Sequence, residues 1–114
     1  MPVIEYQGEQ IELDEDGFLV NYKDWNENVA RALAEKEGIE ELTPQMMDVI
    51  RFMRDYYENY RSFPILSSVC RNVHQPGDCV REEFIDPVAA WRIAGLPKPV
   101  EEVLAYLAPP RETA

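Results

Sequence analysis

The chain has 114 residues, 46% of them hydrophobic, and a formal net charge of −11. That length reads as one domain, able to bury a modest core without metals or crosslinks. No apolar run reaches the ~18 residues of a membrane span. No basic segment followed by an apolar stretch marks a secretory leader, and two cysteines make no disulfide framework. The expectation is a cytoplasmic protein with reduced thiols.

The charge is lopsided. Up to Leu42 there are 12 acidic and 3 basic residues; the rest of the chain holds 10 acidic and 8 basic, six of these being Arg51, Arg54, Arg61, Arg71, Arg81 and Arg92. A net negative field disfavours non-specific binding to nucleic acid and suits solubility and basic protein partners.

Val3 to Leu13 alternates apolar and polar residues around Gln7-Gly8, the pattern of a β-hairpin. Gly17 marks a turn, after which Phe18-Leu19-Val20 reads as a third short strand. Asp24 stands where it caps a helix, with Glu27 three residues on completing a capping box. Trp25, Val29, Ala32 and Leu33 share that helix's apolar face, and Gly38 ends it.

Thr43-Pro44 opens the next helix, which runs to about Tyr60. Met46, Val49, Ile50, Met53, Tyr57 and Tyr60 make one apolar stripe, widened by Met47, Phe52 and Tyr56. A stripe that broad is packed on more than one side, which makes this the central helix. Arg51–Asp55 and Arg54–Glu58 are expected to pair at i,i+4 on its polar face. Pro64 starts a short helix with Ile65, Leu66, Val69 and Val73 apolar. His74 to Asp78 is a turn around Pro76-Gly77, and Cys79 to Phe84 is another short helical segment. Asp86-Pro87 caps and begins a last helix that Gly95 ends. Leu96 to Pro99 is extended, because a residue before proline is pushed out of the helical region. The sum is an α+β, mostly helical architecture in one unit: a hairpin region over 1–22, a helical body over 24–95 and a tail over 96–114.

Candidate chemistry is sparse. Cys70, His74 and Cys79 offer three soft ligands, but no fourth ligand and no C-x2-C pair accompany them, so no metal site is assigned. A Cys70–Cys79 disulfide across the turn needs Cα atoms within about 7 Å. The alternatives are a redox or sulfur-carrying pair, or two idle buried thiols. Asp14 to Asp16 lacks the spacing of a calcium loop. There is no phosphate loop, nucleophile elbow or zinc-protease motif, and no cofactor is expected. Tyr56, Tyr57, Tyr60 and Phe63 could stack bases, but at helical spacing they read as core.

Three stretches together carry a resemblance: DGFLVNYKDWNENVARALAEKEGI, LTPQMMDVIRFMRDYYENYRSFP and IAGLPKP. In this order they resemble the DsrC/TusE family over about residues 4 to 103. The resemblance implies a β-hairpin on an orthogonal bundle of about five short helices. It implies a small cytoplasmic protein of sulfur relay, partnered by dissimilatory sulfite reductase or by TusBCD/DsrEFH-like complexes. Family members carry sulfur on a cysteine near the end of a mobile C-terminal arm, just after the L-P-K-P stretch; DsrC adds a second cysteine beside the I-A-G stretch. A thiolate is the nucleophile such transfers need. Here the arm's terminal position holds Glu102 and the upstream position holds Trp91, and the stretch between Pro64 and Phe84 is shorter than in family members.

The favoured expectation is therefore a binding or regulatory variant that carries no sulfur. Arg51, Arg54, Arg61, Lys98 and Glu102 are its candidate partner-binding residues. The alternatives are a sulfur carrier (a sulfurtransferase) using Cys70 or Cys79, and a DNA-binding regulator using the local arginines. Val100, Val103, Leu104 and Leu107 recur at helical spacing, with Glu101 and Glu102 in the first turn where the dipole favours them. The tail is thus expected to dock as a short helix.

Overall fold

The computed structural model describes residues 3–6, 8–84 and 86–99, the side chains of Tyr6 and Glu9 apart. The tail helix expected over 100–107, and Glu102 with it, lie outside the described residues.

Strands β1 (Val3–Tyr6) and β2 (Glu9–Glu12) form an antiparallel hairpin in which Ile4 faces Ile11. Gly8 takes the positive φ of 81° that its turn requires. The period-two pattern sends Ile11 and Leu13 into the core. Phe18-Leu19-Val20 is not a third strand. Only an isolated bridge, Leu13 to Leu19, forms there. The chain is instead bent by Asp14, whose carboxylate accepts from the backbone N–H groups of Asp16 and Phe18, both at 2.9 Å. A side chain that satisfies two local donors competes with a sheet ladder for them.

A single 3-10 turn follows at Tyr22–Asp24, then α1 (Glu27–Lys36). The cap of α1 is Asn26, not Asp24: the Asn26 side chain accepts from the Val29 N–H at 2.9 Å. Asp24 is used up in the 3-10 turn, and Trp25 and Asn26 are extended between the two. That displacement sets Trp25 outside the helix; the face that α1 buries is Val29, Ala30, Leu33 and Ala34.

Helix α2 (Pro44–Tyr60) starts as read, with the Thr43 hydroxyl accepting from the Met46 N–H at 3.2 Å and proline in the first turn. It packs against α3, α4 and α5, which makes it the central helix. Met46, Met47, Val49, Ile50 and Met53 are buried, but Tyr60 at the end of the stripe is 65% exposed. Among the described residues, the stripe outruns the helices that cover it. The expected i,i+4 pairs are replaced by longer-range ones. Arg51 pairs with Glu27 of α1, and Glu58 accepts from the Tyr22 hydroxyl at 2.6 Å.

Helices α3 (Leu66–Asn72), α4 (Cys79–Phe84) and α5 (Pro87–Ile93) complete the body. Asp86 caps α5 by accepting from the Val88 N–H at 2.9 Å. α3 and α4 are each two turns or less, too short to persist alone. Packing on α2 and a Cys70–Cys79 disulfide hold them, the two Cα atoms standing 5.8 Å apart. The expectation of reduced thiols is thus corrected. The turn brings Gln75 N–H to the Cys70 carbonyl and Cys79 N–H to the Pro76 carbonyl, each at 2.9 Å, and so carries the two cysteines together. Among the described residues no helix is long and apolar enough to cross a membrane.

One carboxylate sits badly. Glu83 on α4 buries Oε1 without a partner. Burial first, then the neighbouring Glu82 and Asp48, pushes its pKa above the ordinary carboxylate value. A group whose folded pKa is raised contributes full stability below its unfolded pKa and loses it as pH rises through the folded one. Glu83→Gln should therefore raise Tm at neutral pH, and the gain should vanish in acid below pH ~4. A Tm gain equal at both pH values would show that the charge is not the cause.

Candidate functional site

The described part of the tail leaves the body through the turn after α5, and that turn is fastened by side chains from three parts of the chain. The Trp25 indole N–H donates to the Ile93 carbonyl at 2.8 Å. Arg54 of α2 donates to the Ala94 carbonyl at 2.7 Å. The Trp91 indole N–H donates to the Pro97 carbonyl at 2.6 Å. The end of a helix leaves carbonyls without intrahelical partners, and here two of them receive long side chains from elsewhere in the chain. Leu96, between the anchor points, is fully buried.

Glycine at position 95 is what allows this. Its φ is +69°, and a Cβ there would stand 2.3 Å from Cδ1 of Trp25. The indole lies against the bare backbone, which only glycine permits. The Arg54 guanidinium lies 4.1 Å from the ring centroids of both Tyr22 and Trp25, within the range of a cation–π contact. Burial is the main force pulling its pKa below the ordinary guanidinium value, opposed by Tyr22, Glu58 and Asp55; it stays a cation, as arginine does in proteins. The Tyr22 hydroxyl is pushed up to about 12, by burial first and then by its hydrogen bond to Glu58.

A second set of bonds comes from the Asp14–Phe18 bend. Lys98 Nζ donates to Asp16 Oδ2 at 2.6 Å. Arg92 donates to the Asp16 carbonyl at 3.1 Å and to Glu37 Oε1 at 2.8 Å. The bend thus holds both α5 and the stretch beyond it.

Beside this anchor runs a groove of about 310 Å³, lined by Tyr57, Arg61, Phe63, Trp91, Pro97, Lys98 and Pro99 among others. A smaller hollow of about 130 Å³ continues it towards Val20 and Leu19, sharing Tyr57, Arg61 and Pro97. The groove has aromatic walls: the Phe63 and Trp91 ring centroids are 4.3 Å apart, and Tyr57 meets Trp91 edge-on at 5.9 Å. Arg61 ends α2 in the left-handed region at φ 53°. A non-glycine residue held there costs about 1 kcal/mol or more. The conformation sets its guanidinium 5.4 Å from the Tyr57 ring, at the groove. Concavity, an aromatic lining and the Arg61 cation are the makings of a binding surface.

The sequence-derived candidates divide accordingly. Arg61 and Lys98 line the groove. Arg54 is half-buried in the anchor, and Arg51 is exposed on another face with Glu27. Cys70 and Cys79 are buried and joined. His74 lies in the turn between them at φ 58°, and no group of described residues there or elsewhere is arranged to hold a metal. Tyr56 and Tyr60 stack on each other at 4.6 Å on the outer face of α2. Sequence reasoning missed the anchor itself. Trp25 was visible as a tryptophan beside a cap, but nothing in local spacing points it at a carbonyl 68 residues away.

Comparison with known proteins gives one answer. The family model described as DsrC like protein matches residues 5–103. The chain is 34% identical over 101 residues to the dissimilatory-type sulfite reductase subunit gamma of Nitratidesulfovibrio vulgaris, covering 87% of this chain and 96% of that one. It is 32% identical over 105 residues to the sulfurtransferase TusE of Escherichia coli, covering 84% and 95%. The crystal structure of the oxidised gamma subunit of the dissimilatory sulfite reductase from Archaeoglobus fulgidus superposes with a TM-score of 0.68 at 34% identity, covering 87% and 97%.

The anchor can be tested against a glycine that lacks a close neighbour. Gly38 also has positive φ, at +86°, with open space around its Cα. Gly38→Ala should lose about 1 kcal/mol from backbone strain alone. Gly95→Ala should lose ~2–4 kcal/mol, because strain and the clash with Trp25 add. Equal losses in urea unfolding would mean that Trp25 does not pack there as described.

Proposed function

Since the chain belongs to the DsrC family, we propose that it serves sulfur metabolism in the cytoplasm as a protein-binding member of a sulfur relay that carries no sulfur itself. Its partners would be of the kind its relatives' names point to: a dissimilatory sulfite reductase or the proteins of a sulfurtransferase relay. The observation that carries this reading is Trp91. By the family pattern it stands where an upstream cysteine belongs. It is 2% exposed, and its indole N–H is committed to the Pro97 carbonyl. A residue so placed fastens the root of the arm and offers no nucleophile.

The remaining sulfur atoms do not take over the task as they stand. A carrier cysteine must present a thiolate to its donor and to its acceptor. Cys70 and Cys79 are buried and bonded to each other. The groove beside Trp91 supplies what a binding protein needs instead. Tyr57 and Phe63, backed by the buried Trp91, give rigid apolar area, and Arg61 gives charge that favours an acidic partner segment. Arg51 and Glu102, the other proposed partner contacts, lie away from this groove or outside the described residues.

Intact-mass measurement after incubation with a persulfide donor should show no adduct of about 32 Da. Arg61→Glu should weaken binding to the relay partner ~10-fold or more while leaving the far-ultraviolet circular dichroism unchanged. A persulfide adduct that passes to a partner protein would overturn the reading.

A further inference from the structure

The disulfide and the groove are not independent. Phe63 and Trp91 pack ring on ring to form one aromatic wall of the groove; Phe63 stands three residues before α3, and Trp91 is on α5. Cys70 is in α3, and Cys79 is the first residue of α4, which packs on α5. The bridge therefore ties α3, which follows Phe63 in the chain, to α4, which packs on the helix that carries Trp91. Without it, no covalent tie but the turn over 73–78 joins α3 and α4, and only packing on each other, on α2 and, for α4, on α5 holds them. That turn is exposed at His74, Pro76, Gly77 and Asp78. It also holds His74 at φ 58°, a conformation that a non-glycine side chain disfavours. Helices of 7 and 6 residues have little intrinsic stability with which to resist its relaxation.

We propose that the Cys70–Cys79 disulfide is a redox gate on the Phe63–Trp91 groove: the oxidised chain holds the two rings together, and a dithiol reductant releases them. A thiolate of the reductant attacks one sulfur of the bridge, the S–S bond breaks, and a mixed disulfide forms. The reductant's second thiol then displaces it. Cys70 and Cys79 leave as two thiols having gained two electrons and two protons, and the dithiol leaves as a disulfide. Both cysteines are essentially unexposed, so attack follows opening of the exposed turn and is slower than that of a surface disulfide. The gate deepens the binding role proposed above, and it concerns the shape of the groove whether or not a sulfur-relay partner is the occupant.

The two tryptophans make the test direct. The indole N–H signals of Trp25 and Trp91 are read separately by nitrogen-15 NMR of the full chain. The states compared are oxidised, reduced with dithiothreitol, and the Cys70→Ala/Cys79→Ala variant; Phe63→Ala serves as the reference for a missing wall. Alkylation and intact mass report whether both thiols have been freed. On reduction the Trp91 signal should move towards its position in Phe63→Ala. Trp25 should hold still and circular dichroism should keep its helical signal. The double variant should match the reduced protein. Three results would overturn the gate: a fixed Trp91 signal with both thiols alkylated, both indoles moving together with loss of helix, or no alkylation of the folded chain after dithiothreitol. The second would make the bridge a global brace, and the third a sealed one. Each is distinct from failure of partner binding, which none of these signals reads.

Discussion

The structure depends on how the carbonyls at the end of α5 are satisfied. A helix that stops and passes into a proline-rich stretch leaves acceptors behind, and burying them without donors is costly. Arg54 answers for Ala94 and Trp25 for Ile93. Both come from parts of the chain far away in sequence, so the hairpin end, the central helix and the start of the tail become one object. The stacking of Arg54 on Tyr22 and Trp25 explains why a cation can stand half-buried there. Its charge faces two aromatic rings and a carbonyl, and its pKa shift is opposed by nearby hydroxyl and carboxylate groups.

From that anchor follow the groove and its polarity. Once Gly95 admits the Trp25 ring, Leu96 is drawn fully into the core and Pro97 falls within reach of the Trp91 indole. Trp91 then has one edge engaged and its rings turned to Phe63 and Tyr57. The aromatic walls are a by-product of fastening the tail, and the cations at the rim come from the strained end of α2 and from Lys98, which the Asp16 bend holds. In a chain with net charge −11, Arg61 places a cation beside an apolar groove, while the charge of Lys98 is met by Asp16.

Much of this was legible in the sequence where the physics is local. The hairpin, Thr43-Pro44 at the start of α2, Asp86-Pro87 at the start of α5 and the glycine stops all follow from nearby backbone needs, and all formed. The family motifs also lie where fold-determining contacts are made: Gly17, Trp25, Arg54 and Gly95 all belong to the anchor or the bend beside it. What local patterns could not give was choice among competing partners. Asp24 and Asn26 were both able to cap; Asp24 ends the 3-10 turn, and Asn26 caps α1. Arg54 had Glu58 one turn away and went to a carbonyl 40 residues on, while Glu58 took Tyr22. The cysteines were two residues of undecided role until the turn at His74 to Asp78 closed the distance between them.

The central claim is that Trp91 fastens the root of the tail through its bond to the Pro97 carbonyl. Solvent exchange of the Trp91 indole proton tests it most directly, because that proton is held between the ring and the Pro97 carbonyl. The account predicts exchange slowed well below that of a free indole, with a marked loss of protection in Gly95→Ala, where Trp25 is displaced and the turn slackens. Exchange at the free-indole rate in the unaltered chain would contradict it.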